Sequence, residues 1–347
     1  MTKNGWGLIG TGRIADDRIL PGINAHAGNR LVGVVSRDRG RAEAFARRFG
    51  AAHAYTSYDE LLRNPEVTVV AIHTPNSQHA DQAVAAARAG KHVFCDKPIA
   101  TNTADAERMV RECEKAGVRF GVNFHNRFMP CFVETRRLIA SGEIGEIQIV
   151  QVEASPGARS GGRLATWRVD PAVAGLGTTF SIGVHVYDIL RYLLASEISM
   201  VSAFFDTPAG VMEETNLSLL RFANGVLAQM SVHEKTPFPH NDFVIYGSKG
   251  RILAGASPAV ARGASCRSRL RTARRASRNS RRSTPTARAW RHSATRSSKG
   301  ANPCRPASTA CAACSSRTRW RARRGTACTS GWPTRVIRDG WGVTDAA

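Results

Sequence analysis

The sequence feature that most constrains the fold is a glycine-rich turn near the N-terminus, Gly10-Thr11-Gly12-Arg13-Ile14-Ala15. An apolar, strand-like stretch precedes it and a helical stretch follows it. In this spacing Gly10 permits a tight turn, Gly12 lets a ligand approach the backbone, and Ala15 allows the helix to pack closely on the strand. The amides and the dipole at the start of the helix would then hold phosphate groups. An ordinary strand-to-helix turn is the alternative interpretation.

Residues 5–122 alternate short apolar strands with longer amphipathic helices, which is typical of a parallel sheet covered on both faces. Strands are expected at residues 5–10, 30–36, 67–75 and 90–95, and helices at 80–90 and 102–117. A glycine-rich turn at the first strand of such a unit predicts a dinucleotide-binding Rossmann domain over residues 1–122. The cofactor contacts expected from this turn are Gly10, Thr11, Gly12, Arg13 and Ile14.

Residues 123–254 have a different pattern, with longer strands that alternate apolar and polar side chains. These strands are expected at residues 143–155, 197–207, 215–225, 226–236 and 241–250, with a helix at 181–194. Such alternation is typical of an antiparallel sheet with one face on the core. The fold class predicted is an α/β Rossmann domain with a doubly wound parallel sheet, followed by an α+β domain with a mostly antiparallel open sheet.

The end of the second strand indicates which dinucleotide binds, since the adenosine ribose is held about 20 residues beyond the glycine turn. Ser36 and Arg37 come first there, and a hydroxyl and a guanidinium suit the 2′-phosphate of NADP. Asp38 would instead favour NAD if the strand ended two residues later. We therefore expect NADP as the preferred cofactor and NAD as the alternative. A solvated Arg37 in a loop is the plainer interpretation.

Several segments carry a resemblance to a known family. They are AGKHVFC followed by Asp96-Lys97-Pro98, HTPNSQHADQAVAAARAG, GVNFHNRFMP and ASGEIGEIQIVQVE. On these motifs the chain resembles the Gfo/Idh/MocA family of NAD(P)-dependent oxidoreductases from residue 6 to about residue 252. The Glu-Lys-Pro motif of that family stands here as Asp96-Lys97-Pro98.

The resemblance implies reversible hydride transfer between NADP(H) or NAD(H) and a carbonyl or hydroxyl of a sugar, polyol or related compound. It makes Lys97 the residue that exchanges a proton with the substrate, and burial would lower its pKa from ~10.4. It makes His185 the catalytic partner, and Arg127 and Ser181 substrate contacts. The other residues expected near the cofactor are Thr74, Asn76, His79, Asp96, Lys97, Trp167 and Arg168. A homodimer or homotetramer through the open sheet is also implied.

One departure from the family pattern concerns the residue four positions before His185. The family has an aspartate there, which lies on the same helical face as the histidine. This chain has Ser181, which can donate a hydrogen bond but carries no charge at neutral pH. The alternative function is therefore a dinucleotide-binding sensor or regulator of the same fold with weak or absent turnover.

The C-terminal segment from residue 255 has an anomalous composition. Residues 256–347 hold 21 Lys and Arg but 2 Asp and Glu, whereas residues 1–255 hold 28 and 25. The +22 charge of the chain therefore describes this tail. The tail has no Glu, Phe or Tyr and no apolar periodicity. This composition is typical of GC-rich DNA translated out of frame, so we predict that the tail results from a frame shift and forms no packed structure. Residues 302–316, back-translated and read in another frame, can encode the helical sequence PLPSGIDGLRSVQL.

Other partners and compartments are not indicated. Because the basic residues are confined to a tail nearly devoid of Lys, nucleic-acid binding is the least favoured function. The N-terminus has no signal-like pattern and no apolar run approaches a membrane span, so neither secretion nor a membrane is expected. The cysteines lack metal or disulfide spacing, so we expect no metal and a cytoplasmic protein.

Overall fold

The computed structural model describes residues 3–157, 166–208, 211–236 and 239–255. The first domain is built on a parallel sheet in the order β3-β2-β1-β4-β5-β6. Its strands are β1 (Asn4–Ile9), β2 (Asn29–Val35), β3 (His53–Tyr55), β4 (Val69–Ile72), β5 (His92–Cys95) and β6 (Phe120–Val122). The chain reverses direction across the sheet between β1 and β4, as in the predicted doubly wound Rossmann fold. That prediction is confirmed.

Helices cover both faces of this sheet. They are α1 (Leu20–Ala25), α2 (Arg39–Phe49), α3 (Tyr58–Arg63), α4 (His79–Arg88) and α5 (Thr103–Lys115), with a π-helical turn at Ala15–Ile19 leading directly into α1 and a 3-10 turn at Asn76–Gln78. The neighbours Leu8 and Ile9 on β1 belong to apolar clusters on opposite faces and are both almost fully buried. Burial on both faces explains why the strands are apolar runs without alternation.

The second domain contains a mixed sheet in the order β12-β11-β7-β10-β9-β8. Its strands are β7 (Ile147–Ala154), β8 (Ile198–Phe205), β9 (Thr215–Phe222), β10 (Leu227–His233), β11 (Asp242–Gly247) and β12 (Arg251–Gly255). The pair β7 and β10 is parallel and the other neighbours are antiparallel. The prediction of a mostly antiparallel sheet is confirmed, and β12 adds a hairpin strand that the sequence pattern did not indicate.

The helices of the second domain lie between β6 and β8 in the chain, and the two longest pack on one face of its sheet. They are α6 (Pro130–Ala140), α7 (Pro171–Ala174) and α8 (Val184–Leu194), together with 3-10 turns at His125–Phe128 and Thr166–Val169 and a π-helical turn at Thr179–Gly183. Residues 171–194 are long and apolar enough to cross a membrane by composition alone. However, Val186, Ile189 and Leu190 of α8 are buried in the core beneath the sheet. The helix α8 is therefore a core helix.

The sequence and the structure differ mainly at the short elements. The strands β3 and β6 have three residues each, too few to show a pattern, and both lie at the edges of the first sheet. The predicted anomalous tail lies outside the described residues from Ala256 onward, so it stays a prediction.

Candidate active site

The glycine turn is shaped to approach a ligand closely. Gly10 has a φ of +98°, and a Cβ there would lie 2.5 Å from the carbonyl oxygen of His73. Gly12 faces open space, since a Cβ built on it would meet nothing within 4 Å. Ala15 is fully buried against β1, which seats the helix of residues 13–25 with its N-terminus at the turn. These residues fit a dinucleotide pyrophosphate as predicted, because open backbone and helix amides converge there.

Near the end of β2, where the adenosine ribose is expected (the ribose edge), the sequence analysis missed one basic residue, Arg41. Ser36 follows β2 directly, and the Thr11 hydroxyl donates to the Ser36 hydroxyl at 3.3 Å. The Arg41 guanidinium donates to the Thr11 carbonyl at 2.5 Å, so it lies across the turn. Arg37 is exposed beside them. Arg41 could have been found from its place in the first turn of the helix after β2.

Asp38 has a structural role at this edge. Its carboxylate accepts a hydrogen bond from the Arg41 backbone amide at 2.7 Å and so caps the N-terminus of α2. The structure ends β2 at Val35. The strand therefore does not extend to Asp38, and the choice between NADP and NAD stays a prediction.

His79 corrects another prediction. The sequence places it near the cofactor, but its side chain is fully buried, with Nδ1 2.9 Å from the Pro98 carbonyl and Nε2 3.0 Å from the Thr74 carbonyl. Burial lowers the pKa of His79. It therefore ties the loop after β4 to the loop after β5 and does not face a ligand.

The other two residues of the β4 loop also make protein contacts. The Thr74 hydroxyl donates to the Gln82 side chain at 2.6 Å. The Asn76 amide donates to the Ala174 carbonyl at 2.8 Å and thereby joins the two domains beside the cleft. Both are half-buried, so their predicted roles at the cofactor stay predictions.

Asp96 and Lys97 follow β5 at the same edge of the sheet, and Lys97-Pro98 is a cis peptide. Nδ1 of His73 lies 3.4 Å from the Asp96 carboxylate, which also accepts from the Lys97 amide at 2.9 Å. Burial alone would raise the pKa of Asp96. The neighbouring His73 and the Lys97 ammonium nevertheless hold it well below its ordinary value. Asp96 is therefore a fixed negative charge directly behind Lys97.

Lys97 reaches from the first domain to the second. Its Nζ donates to the Ser181 carbonyl at 2.5 Å, across 84 positions of sequence. Burial lowers the pKa of Lys97 to about 8; Asp96 opposes this shift, Arg168 adds to it, and Glu234 opposes it. A lysine with a pKa near neutrality can both take and give a proton, which general acid–base chemistry requires.

His185 stands beside Lys97 at the start of α8. Burial, followed by the nearby charges of Lys97 and His125, lowers the pKa of His185 well below its ordinary value, so the ring is neutral at pH 7. Its ring packs edge-on against His125 at 5.0 Å and against Phe124 at 6.2 Å. Burial also lowers the pKa of His125, which the sequence analysis did not single out.

Arg127 makes its main contacts within the second domain. Its guanidinium makes a two-pronged ion pair with the buried carboxylate of Asp188 on α8, with Nε at 2.9 Å from one oxygen. It also lies 5.5 Å from the Tyr192 ring centroid. The predicted substrate contact stays a prediction. Arg127 fixes the 3-10 turn that carries His125 onto the helix that carries His185.

Ser181 lies in the π-helical turn before α8, and its hydroxyl donates to Oε1 of Glu234 at 2.8 Å. Glu234 follows β10 and was not predicted as a site residue. A signal was present in the sequence, because Ala228, Met230, Val232 and Glu234 share the alternating register that faces the core.

Trp167 and Arg168 lie in the 3-10 turn Thr166–Val169, with the Arg168 guanidinium 4.5 Å from the Trp167 ring centroid. The charge of Arg168 reaches Lys97 and lowers its pKa. The turn therefore brings a cation to the group of Asp96, Lys97 and His185 (the Lys97 cluster), and the predicted contact with the cofactor stays a prediction.

Comparisons with known proteins agree with this geometry. Residues 5–124 match the family described as oxidoreductase family, NAD-binding Rossmann fold, and residues 132–253 match the GFO/IDH/MocA C-terminal domain. A 1,5-anhydro-D-fructose reductase from Ensifer adhaerens is 34% identical over 254 residues, covering 72% of this chain and 75% of the relative. A myo-inositol 2-dehydrogenase from Thermotoga maritima is 29% identical, covering 72% and 74%.

Structural comparison gives the same family. The aldose-aldose oxidoreductase from Caulobacter crescentus, solved with glycerol, has a TM-score of 0.68 and 29% identity, covering 73% of this chain and 77% of that one. The glycine turn, the Lys97 cluster and both domain matches lead to one conclusion. The chain belongs to the GFO/IDH/MocA family of NAD(P)-dependent oxidoreductases.

Proposed function

We propose that the chain transfers hydride reversibly between NADP(H) and a carbonyl or hydroxyl of a sugar, polyol or related compound, with Lys97 as the proton-transfer residue. The observation that carries this proposal is the Lys97 ammonium, half-buried where the two domains meet and directed at the second domain. The similar proteins are named for an anhydrosugar, an inositol and aldoses, which supports the substrate class.

A bound nicotinamide supplies or accepts the hydride. Lys97 takes the proton of the substrate hydroxyl in oxidation and returns it to the carbonyl oxygen in reduction. Asp96 holds its charge behind Lys97, and the neutral His185 offers a second hydrogen-bonding group to the same oxygen. The cluster faces the carboxyl ends of β1, β4 and β5, where doubly wound sheets bind their ligands.

The preference for NADP is supported by the ribose edge. Ser36 and Arg41 meet at Thr11, Arg37 is exposed beside them, and the Asp38 carboxylate is used to cap α2. Replacing Arg41 with Ala should weaken NADPH binding by about 2 kcal/mol, as expected for the loss of a charged hydrogen-bond partner, and leave NADH nearly unaffected. Arg37→Asp should act in the same direction.

Fluorescence titration of both cofactors with each variant measures this preference. Exposed Arg63→Ala on α3 is the control. An equal loss for both cofactors would show that the arginine supports the turn and does not bind a 2′-phosphate.

A panel of sugars and polyols, read by nicotinamide absorbance with each cofactor, tests the activity itself. Turnover of a member of the panel supports the proposal. The second candidate is the sensor or regulator, which the uncharged Ser181 favours. Tight NADPH binding without oxidation or reduction of any member would establish that alternative.

The outer face of the second sheet is proposed to contact a second copy of the chain. Phe204 on β8 pairs with Leu217 on β9, and Leu219 lies two residues along the same face. Their exposed fractions are 73%, 49% and 60%. An apolar patch on a sheet face is typical of an interface, and a two-fold axis would bury it against itself.

A cytosolic location is supported by Cys95 and Cys113, which are buried free thiols.

A further inference from the structure

The carboxylate of Glu234, directly after β10, is connected to Lys97 although it belongs to none of the sequence motifs. Two hydrogen bonds connect them through one residue: Lys97 Nζ donates to the Ser181 carbonyl at 2.5 Å, and the Ser181 hydroxyl donates to Glu234 Oε1 at 2.8 Å. We propose that Glu234 is a positioning residue for the reaction, which holds Lys97 in place through Ser181 and keeps it protonated by its own negative charge. This inference rests on the proposed role of Lys97.

The position of Glu234 is fixed by its backbone and its register. Its amide donates to the Glu214 carbonyl at 3.0 Å, immediately beyond the paired residues His233 and Thr215 of the β9–β10 ladder. Its place in the alternation of β10 turns the side chain toward the helical face of the sheet. Glu234 therefore reaches the π-helical turn without distortion of the strand.

The π-helical turn is itself held from its other end by a second acidic residue. The buried carboxylate of Glu213 accepts from the Gly177 amide at 2.9 Å and from the Thr179 amide at 2.8 Å. A Cβ at Gly177 would lie 2.0 Å from the Glu213 carbonyl oxygen, so the contact requires glycine. Glu213 therefore fixes the backbone from which the Ser181 hydroxyl reaches Glu234 at 2.8 Å, with a longer contact of 3.5 Å to the Thr178 carbonyl.

The charge of Glu234 has a direct chemical consequence. Burial and the guanidinium of Arg168 both lower the pKa of Lys97, whereas Asp96 and Glu234 raise it. Without the Glu234 charge the lysine would lose its proton at a lower pH. Ser181 carries no charge, so the carboxylate that the family pattern places at position 181 is supplied here from position 234, 53 residues away.

The test measures the protonation of Lys97 in two independent ways. Competitive acetylation across pH, read by mass spectrometry with exposed Lys249 as the internal reference, gives the midpoint without any need for turnover. The pH profile of kcat gives it in the active enzyme. In E234Q both midpoints should fall by about one pH unit, the effect of removing one nearby opposite charge.

A matched set of variants separates this role from a structural one. E214Q removes a neighbouring exposed carboxylate, paired with Lys235, and should leave both midpoints unchanged. The double variant S181D/E234Q moves the charge to the helix and should return the midpoint toward that of the parent. S181D in the parent protein places two carboxylates together. The shift in midpoint that it causes there should differ from the shift that it causes in E234Q, and the difference measures the coupling between positions 181 and 234.

Unchanged midpoints in E234Q would overturn the proposal. A shift in E234Q that S181D leaves unaltered would also overturn it, because a carboxylate at position 181 would then not replace the charge of Glu234. Absence of turnover with every sugar and polyol, together with the expected acetylation shift, would refute the proposed function and leave the positioning of Lys97 by Glu234 intact.

Discussion

At the scale of single residues, Lys97 is the group on which the proposed chemistry depends. It lies directly after β5, at the same edge of the sheet as the glycine turn. Its ammonium donates to the Ser181 carbonyl in the second domain. Asp96 behind it is a permanent anion, and His185 beside it is neutral. Lys97 is therefore the group of this cluster whose charge changes between pH 7 and pH 9.

Replacing Lys97 with Ala should lower kcat by roughly 100-fold or more, the contribution expected of general acid–base catalysis. Dinucleotide affinity should remain nearly the same, because the glycine turn is untouched. Steady-state kinetics together with fluorescence titration measure the two effects. Lys115→Ala, an exposed lysine at the end of α5, is the control. Near-normal turnover in Lys97→Ala would remove this residue from the mechanism.

The pH dependence should differ between the two directions of the reaction. Burial lowers the pKa of Lys97 to about 8, so the neutral amine needed for oxidation accumulates as the pH rises through 8. The kcat of oxidation should therefore increase across that range, while the kcat of reduction, which needs the ammonium, should decrease. Profiles from pH 6 to pH 10 check this. A midpoint near 10 in both directions would show an unperturbed lysine.

At the scale of elements, the 3-10 turn His125–Phe128 and α8 form one unit that presents two histidines to the site. The ion pair of Arg127 with Asp188 joins them, and the aromatic contact of His125 with His185 lies between them. The ion pair holds this unit together, because Asp188 is almost fully buried and Arg127 is its charged partner.

Replacing Arg127 with Met should therefore destabilise the fold by roughly 2 kcal/mol, since Asp188 would be left buried without its partner. Urea unfolding measures the loss. The double variant with Asp188→Asn should recover part of it, because the uncompensated charge is then removed. If Arg127→Met raised KM alone and left stability unchanged, Arg127 would be a substrate contact after all.

At the scale of the whole molecule, the second sheet has one face on the core and one face outward. The outward patch of Phe204, Leu217 and Leu219 is proposed to contact another copy of the chain.

Leu219→Glu should shift the protein toward monomer in light scattering, because a charge would be buried in the contact. Ser202→Glu, facing Leu219 on the neighbouring strand, should act in the same way, and exposed Asp59→Ala on α3 is the control. A parent protein that is monomeric at all concentrations would contradict the interface.

The sequence by itself determined the features that depend on local spacing. The glycine turn, the apolar strands of the first sheet, the alternation of the second and the Asp96-Lys97-Pro98 motif each lie within a few consecutive residues. Backbone geometry and burial act directly on such short patterns. Resequencing the gene checks the frame-shift prediction for the tail, which also rests on composition alone.

Tertiary structure decided what each polar side chain contacts. His79 is spaced like a ligand residue but is enclosed by two loops, and Arg127 is claimed by Asp188, 61 residues later. Arg41 crosses to a turn 30 residues earlier, and Glu234 reaches Ser181 from a strand 53 residues away. These pairings depend on how distant loops, helices and strands pack within each domain, and no local periodicity encodes that packing. The missing charge at position 181 could be read from the sequence, whereas its replacement by Glu234 after β10 required the fold.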